Sequence, residues 1–238
     1  MKAPARANCV RGSCAMCAMR QVTFCSVLSP SELPRIEAIV RHGEFAARQG
    51  LFQEGDAADE VFNIVEGTVK LFKSLPDGRV QITGFLFAGD FLGLSTDGRY
   101  SYSAEAVTSV KVCRFARRDL DEVMIEFPKL LGRLLADATT EWVAAQDQML
   151  LLGRKTAREK ILSFLLTLSE RAKRRGMAGD HLDLAMSRAD IADYLGLTIE
   201  TVSRTMTKLR RQGLLRLPRP QEIEIVTAEL KTLAENGD

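Results

Sequence analysis

Apolar side chains recur at helical spacing from residue 33 to residue 40, behind Ser29-Pro30-Ser31-Glu32, which reads as a helix start with Ser29 as N-cap and Pro30 at the first helical position. Over residues 44 to 115 the period shortens. Gly55, Gly67, Gly78 and Gly89 fall eleven or twelve residues apart between short, partly alternating apolar runs. Thr68-Val69-Lys70-Leu71 has the strand period, and Pro76-Asp77-Gly78 is a turn in which proline presets φ and glycine accepts positive φ. Such a series predicts a small antiparallel roll or barrel, with residues 107 to 115 as its last strand. The helical period returns over residues 120 to 155, bent near Pro128. Within it Leu131, Leu135, Ala138, Trp142, Ala145, Met149 and Leu152 keep the four-three spacing of a heptad seam, which predicts a parallel homodimer. Residues 158 to 175 continue as an amphipathic helix, and Gly176 and Gly179 mark a loop.

The next stretch predicts two short helices around a tight turn. Ser187 caps the first, Gly196-Leu197-Thr198 is the turn, and residues 199 to 212 form the second helix, closed by Gly213. Val202, Met206 and Leu209 recur at core spacing in the second helix, leaving Glu200, Ser203, Arg204, Lys208 and Arg211 on other faces. Residues 214 to 226, interrupted by Pro218 and Pro220, predict two short strands and a wing. A helix-turn-helix of this kind enters the major groove of double-stranded DNA, where arginine bonds guanine, glutamate accepts from cytosine, and serine serves base or phosphate.

Charge changes the picture only locally. The net charge of +2 over 238 residues carries no case for nucleic acid, but residues 204 to 219 hold six basic residues and no acidic one. Hydrophobic content of 46% and charged content of 27% are those of a soluble protein. Neither a secretory signal nor an apolar run of about 18 residues is present, which predicts a cytoplasmic chain with no membrane segment. No nucleophile-base set, phosphate loop or paired-carboxylate pattern stands out, so the chain does not read as an enzyme.

Residues 1 to 27 are short on large apolar side chains and read as an arm that needs a ligand or a neighbouring domain to order it. That arm holds four of the five cysteines: Cys9, Cys14, Cys17 and Cys25. The pair Cys14-Ala15-Met16-Cys17 with Cys25 beyond it suits structural zinc, an iron-sulfur cluster, a disulfide framework or redox thiols. A reducing compartment and an odd cysteine count weigh against disulfides.

Several segments resemble a known family over essentially the whole chain. Gln81-Ile82-Thr83-Gly84-Phe85, Gly89-Asp90-Phe91, Val112-Cys113 and the run from Tyr194-Leu195-Gly196-Leu197 through Thr198-Ile199-Glu200-Thr201-Val202-Ser203-Arg204 resemble signatures of the superfamily of the cyclic-AMP receptor protein and the fumarate and nitrate reduction regulator (CRP/FNR). The second of these is the nearer, in its FnrN-like branch. The resemblance implies an α+β protein: an antiparallel β-roll of the cyclic-nucleotide-binding jelly-roll kind, a long dimerisation helix and a winged helix-turn-helix. It divides the chain into a cluster-binding arm (1–27), a sensor roll (28–126), a dimerisation helix (127–157) and a DNA-binding domain (158–238). It further implies a homodimeric, oxygen-responsive transcription regulator. Cys14, Cys17, Cys25 and Cys113 match the ligands of a 4Fe-4S cluster, Glu200, Ser203 and Arg204 match the residues that read a TTGAT-type palindrome, and Gln81, Ile82, Thr83, Gly84 and Phe85 match a loop that touches RNA polymerase.

The seven-residue gap before Cys25 is longer than in the best-known member, and Cys9 is an additional thiol. Ala145 stands where that member has an acidic residue whose repulsion opposes dimerisation, which implies a balance further toward dimer. Only one CxxC exists, and Cys113 lies 88 residues beyond Cys25, which favours a cluster tying arm to roll over a structural zinc. Cyclic AMP is disfavoured, because Ser95, Thr96 and Asp97 stand where relatives place a glutamate, and Tyr100-Ser101 replaces an Arg-Ser pair with Arg99 one residue out of register. Haem is weaker still, since His42 and His181 have no motif around them. The alternative is a clusterless regulator that responds to a small ligand or to thiol oxidation, or that carries a structural zinc.

Overall fold

The computed structural model describes residues 13–219 and 221–226. Short 3₁₀ turns at Cys14–Met16 and Phe24–Val27 precede helix α1 (Leu33–Ile39). The eight strands that follow are β1 (Val40–Phe45), β2 (Gly50–Phe52), β3 (Glu60–Glu66), β4 (Thr68–Ser74), β5 (Val80–Phe87), β6 (Phe91–Leu92), β7 (Ser103–Ala106) and β8 (Val110–Ala116). Then come α2 (Arg117–Glu126), α3 (Pro128–Arg154), α4 (Ala157–Arg174), β9 (His181–Asp183), α5 (Arg188–Leu195), α6 (Ile199–Arg211), β10 (Leu215–Arg219) and β11 (Glu222–Ile225).

The chain divides into two compact units, the first reaching Glu141 and the second starting at Trp142, with Val80–Ile82 counted in the second. In the first, two four-stranded sheets run in the orders β1-β8-β3-β6 and β2-β7-β4-β5. Glycines allow the tight corners this requires. A Cβ on Gly67, which has φ near +96°, would stand 2.3 Å from the Ser109 carbonyl oxygen. The roll is filled by Phe52, Phe62, Ile64, Val69, Leu86, Leu92, Tyr100 and Val112. Tyr100 stacks on Phe52 with ring centroids 3.7 Å apart, and its hydroxyl donates to the Glu60 carbonyl.

A separate apolar layer lies on the other face of β3 and β8. Phe24 and Leu28 from the arm, Leu33 and Ile36 from α1, Val61, Phe115, Leu120 and Val123, and Leu130 and Leu134 from α3 form it. Strand alternation decides the two faces, since Phe62 and Ile64 point into the roll while Val61 points to this layer.

In the second unit β10, β11 and β9 form an antiparallel sheet beside α4, α5 and α6. Its core holds Ile161, Leu162, Leu165, Ile191, Leu195, Val202, Met206 and Leu209.

Three expectations change. The helix expected from Pro30 begins at Leu33 with Pro34 in its first turn, because Glu32 turns back to accept from the Ser29 amide and hydroxyl. The last strand of the roll is β8, and residues 107 to 109 lie between it and β7. Strand β9 falls in the region expected to be loop. The described part of the arm packs on the roll through Phe24, the neighbouring domain being one of the two partners expected for it.

Candidate functional site: a thiol cluster and a DNA-reading helix

The thiol site begins with two local devices. Ser13 Oγ accepts from the Ala15 amide, which starts the 3₁₀ turn carrying Cys14, and Glu37 of α1 accepts from both the Cys14 amide and the Ser13 hydroxyl. Phe24 is the second device. Its ring, 1% exposed, stands edge-on to Phe91 and Phe115 at 5.2 and 5.5 Å and fixes Cys25 beside the β-sheet. Cys14, Cys25 and Cys113 all pack against the same apolar layer. Cys14 and Cys17 lie near enough to Cys25 for their charges to act on it.

Burial pushes the Cys14 thiol up to about 11, helped by the Glu37 carboxylate and Cys17. Burial pushes Cys25 up to about 12, helped by Cys14 and Cys17. Neutral thiols are therefore what this environment favours until a cation compensates them. Three soft sulfur donors, Cys14, Cys25 and Cys113, border one apolar layer with Cys17 within electrostatic reach, a donor set that fits a thiolate-bound iron-sulfur group in kind. Among the described residues no three His, Cys, Asp or Glu side chains already lie close enough to hold a metal ion. The donors share a neighbourhood. Cys9 lies outside the described residues.

Strand register adds what sequence spacing could not. His42 of β1, Cys113 of β8, Asn63 of β3 and Phe91 of β6 stand in one row across the sheet. His42 is exposed, and Asn63 is 3% exposed. His42 was weighed in the sequence only as a haem ligand, and Glu37 and Asn63 went unnoticed there. Of the latter two only Asn63 left a trace, as the one polar residue inside Val61-Phe62-Asn63-Ile64-Val65.

The candidate DNA interface is built by reciprocal caps. Ser187 Oγ accepts from the Asp190 amide while Asp190 accepts from the Ser187 amide, opening α5. Gly196, at φ near +60°, ends α5, and Thr198 opens α6 by accepting from the Thr201 amide. In α6 the residues Val202, Met206 and Leu209 are buried. Glu200, Ser203 and Arg204, at positions i, i+3 and i+4, share one exposed face. The Glu200 carboxyl is held below its usual range by its own backbone amide and by Thr198, so it stays an anion and an acceptor. Glu224 lies against Arg216 and Glu222 against Arg219 across the β10–β11 hairpin. The basic stretch that lacks acids in sequence thus gains them in space, and its exposed surplus rests on Arg204, Lys208, Arg210 and Arg211 of α6.

On α3 the side chains of Leu131, Leu135, Ala138, Trp142, Ala145 and Met149 are exposed, Trp142 at 68%. Leu152 departs from the expected seam. It is half-buried, and its Cδ2 lies 3.3 Å from where a Cβ on Gly196 would stand. Gln81, Ile82, Thr83, Gly84 and Phe85 form strand β5 rather than the expected loop, and Ile82 and Phe85 are buried in it. Among the described residues no helix is long and apolar enough to cross a membrane.

Comparison with known proteins gives two family matches. The cyclic nucleotide-binding domain matches residues 42–127, and the bacterial regulatory proteins of the crp family match residues 184–215. The nitrogen fixation regulation protein FixK of Bradyrhizobium diazoefficiens is 46% identical over 200 residues, which cover 84% of this chain and 84% of that protein. The transcriptional activator protein FnrL of Cereibacter sphaeroides is 38% identical over 229 residues, covering 94% of this chain and 92% of that protein. The structure of FixK2 from Bradyrhizobium japonicum superposes with a TM-score of 0.77 at 34% identity, covering 82% of this chain and 97% of that one.

Proposed function

The chain belongs to the CRP/FNR family of dimeric, DNA-binding transcription regulators, and on that premise we propose that it is an oxygen-responsive transcriptional activator controlled by a 4Fe-4S cluster on its arm. The observation that carries the reading is the convergence of Cys14, Cys25 and Cys113, from segments far apart in sequence, onto one apolar layer, with Cys17 within electrostatic reach. The likeness to FnrL supports it. That match leaves 6% of this chain uncovered, less than the 16 residues ahead of Cys17, so it extends into the arm.

Cys14, Cys17, Cys25 and Cys113 would hold the group, which would supply an oxygen-reactive iron centre. The residues do the rest. As thiolates they tie the arm to β8, and Phe24, Leu130 and Leu134 connect that layer to α3. The exposed seam of α3 pairs with a second copy, which sets two α6 helices about one turn of DNA apart, roughly 34–36 Å. Glu200, Ser203 and Arg204 then face base edges of a TTGAT-type palindrome, and the exposed Thr83 with the half-buried Gln81 offers RNA polymerase a polar contact on β5.

The contacts inside the roll weigh against cyclic AMP as its ligand. Ser95 donates to Asp97 and to the Arg99 carbonyl, Arg99 donates to the Gly55 carbonyl, and Tyr100 fills the interior. A clusterless regulator, or one with structural zinc, is the second reading. Anaerobic purification followed by iron and sulfide analysis and an absorption spectrum decides between them. Stoichiometric iron and sulfide that disappear in Cys14→Ala support the sensor. A colourless protein, with or without zinc, replaces it with the second reading.

A further inference from the structure

A buried amide lies where the proposed thiol site meets the sheet. Asn63 is 3% exposed, and its side-chain oxygen Oδ1 is buried with no hydrogen-bond partner. It is placed in a strand whose central residues Val61, Phe62, Ile64 and Val65 are all buried and apolar. An unpartnered buried polar group is destabilising, whereas an apolar side chain of the same shape carries no such penalty there. Strand geometry says which way the group faces. Phe62 and Ile64 point into the roll, so Asn63 points with Val61 to the opposite layer. Its neighbours in register are Cys113 on one side and Phe91 on the other, and both border the layer on which Cys14 and Cys25 pack. Side chains directly opposite in an antiparallel pair stand about 4.5–5.5 Å apart at Cβ, within reach of an amide.

We propose that Asn63 is a positioning residue of the thiol site, donating a side-chain N–H to sulfur at Cys113 or to the sulfur of the group that Cys113 holds. A half-turn of the amide exchanges Oδ1 and Nδ2 in the same volume, so the place of the orphaned oxygen becomes that of a donor once sulfur carries negative charge. A thiol sulfur is only a weak acceptor for such a donor. A thiolate or a cluster sulfide asks much, and hydrogen bonds to sulfur raise a cluster's reduction potential by favouring its more negative state. Asn63 thus has its partner only in the loaded protein, which explains an amide that is orphaned without one.

The inference rests on the sensor reading, and the experiment separates the two. Wild type, Asn63→Leu and Asn63→Asp are compared as full-length protein, both without metal and after anaerobic loading with iron and sulfide. Without metal, Asn63→Leu should unfold at a higher temperature than wild type, because an unpaired polar group is gone. Loaded, the same variant should lose iron to a chelator about 10- to 100-fold faster, the usual cost of removing a partner outside the ligand shell, and its reduction potential should fall. Asn63→Asp, an acceptor of the same shape, should lose iron at least as fast as Asn63→Leu. Equal potentials and iron-loss rates in all three proteins would overturn the inference while leaving the cluster in place. A fall in unfolding temperature of equal size in both forms of Asn63→Leu would overturn it too, by making Asn63 the partner of a buried water. A wild-type protein that takes up no iron and sulfide removes the sensor reading and the inference with it.

Discussion

At the scale of single residues, function turns on side chains whose surroundings fix their charge. Arg204 lies exposed on the face of α6 that carries Glu200 and Ser203. Arg204→Ala should cost about 1–3 kcal/mol of specific binding and relax discrimination at one base pair of the half-site. Competition with single-base variants of the palindrome measures this, and an equal loss on every sequence would make Arg204 a phosphate contact. Glu32 shows charge used for stability instead. The Lys129 ammonium, then the Ser29 amide and hydroxyl, hold its carboxyl at about 2 against an ordinary 4.5. Between those values the folded chain binds fewer protons than the unfolded one, so the contribution is present above pH 4.5 and is lost as pH falls toward 2. Glu32→Gln should therefore flatten the acid limb of a urea-midpoint against pH curve in that window. Candidate residues were legible in sequence for Cys14, Cys17 and Cys25 through short-range spacing, and for Glu200, Ser203 and Arg204 through the family resemblance. Asn63 and Glu37 were not, because their significance lies in which strand or turn each one faces.

Among the elements, α3 is the one whose surface is unexplained by a single copy of the chain. Six of the seven expected seam positions are exposed, while Leu130, Leu134 and Leu151 on other faces are buried. A stripe that includes Trp142, Leu135 and Met149 has burial to gain from a second copy, about 1.5–3 kcal/mol for each large side chain. Trp142→Glu removes one such contribution per copy and sets two carboxylates across the seam. Sedimentation should show the dimer dissociation constant rising by more than about tenfold, with operator affinity falling in step. Heptad spacing predicted this stripe from sequence, since a seam is a property of one helix. It overreached at Leu152, where the turn at Gly196 takes the side chain, and spacing along a helix cannot register a neighbour that comes from residues some forty positions later.

For the whole molecule, the proposal is a linkage in which the arm, the layer behind β3 and β8, and the seam of α3 share residues. Leu130 and Leu134 belong to the layer that Phe24 closes, and Leu131 and Leu135, their neighbours on α3, belong to the seam. Coupling between sites of this kind is typically about 1–3 kcal/mol. Operator affinity of the iron-sulfide-loaded protein should then exceed that of the same sample after air exposure by severalfold to about a hundredfold, as read by fluorescence anisotropy at one fixed salt concentration. Equal dimerisation and equal affinity in both samples would break the link between arm and seam.

The sequence alone carried the order of roll, long helix and helix-turn-helix, the caps of the two short helices, the α3 stripe and the spacing that makes Cys14, Cys17 and Cys25 candidate donors. These depend on period, capping and composition, and those act over a few neighbouring residues. Tertiary structure decided the rest. It moved Gln81-Ile82-Thr83-Gly84-Phe85 from a loop into a strand, and it paired Arg216 and Arg219 with glutamates beyond a turn. It also set Asn63 between Cys113 and Phe91. The register of antiparallel strands is fixed by which face of each strand the core claims, and no local pattern states which residue, fifty positions away, will stand opposite.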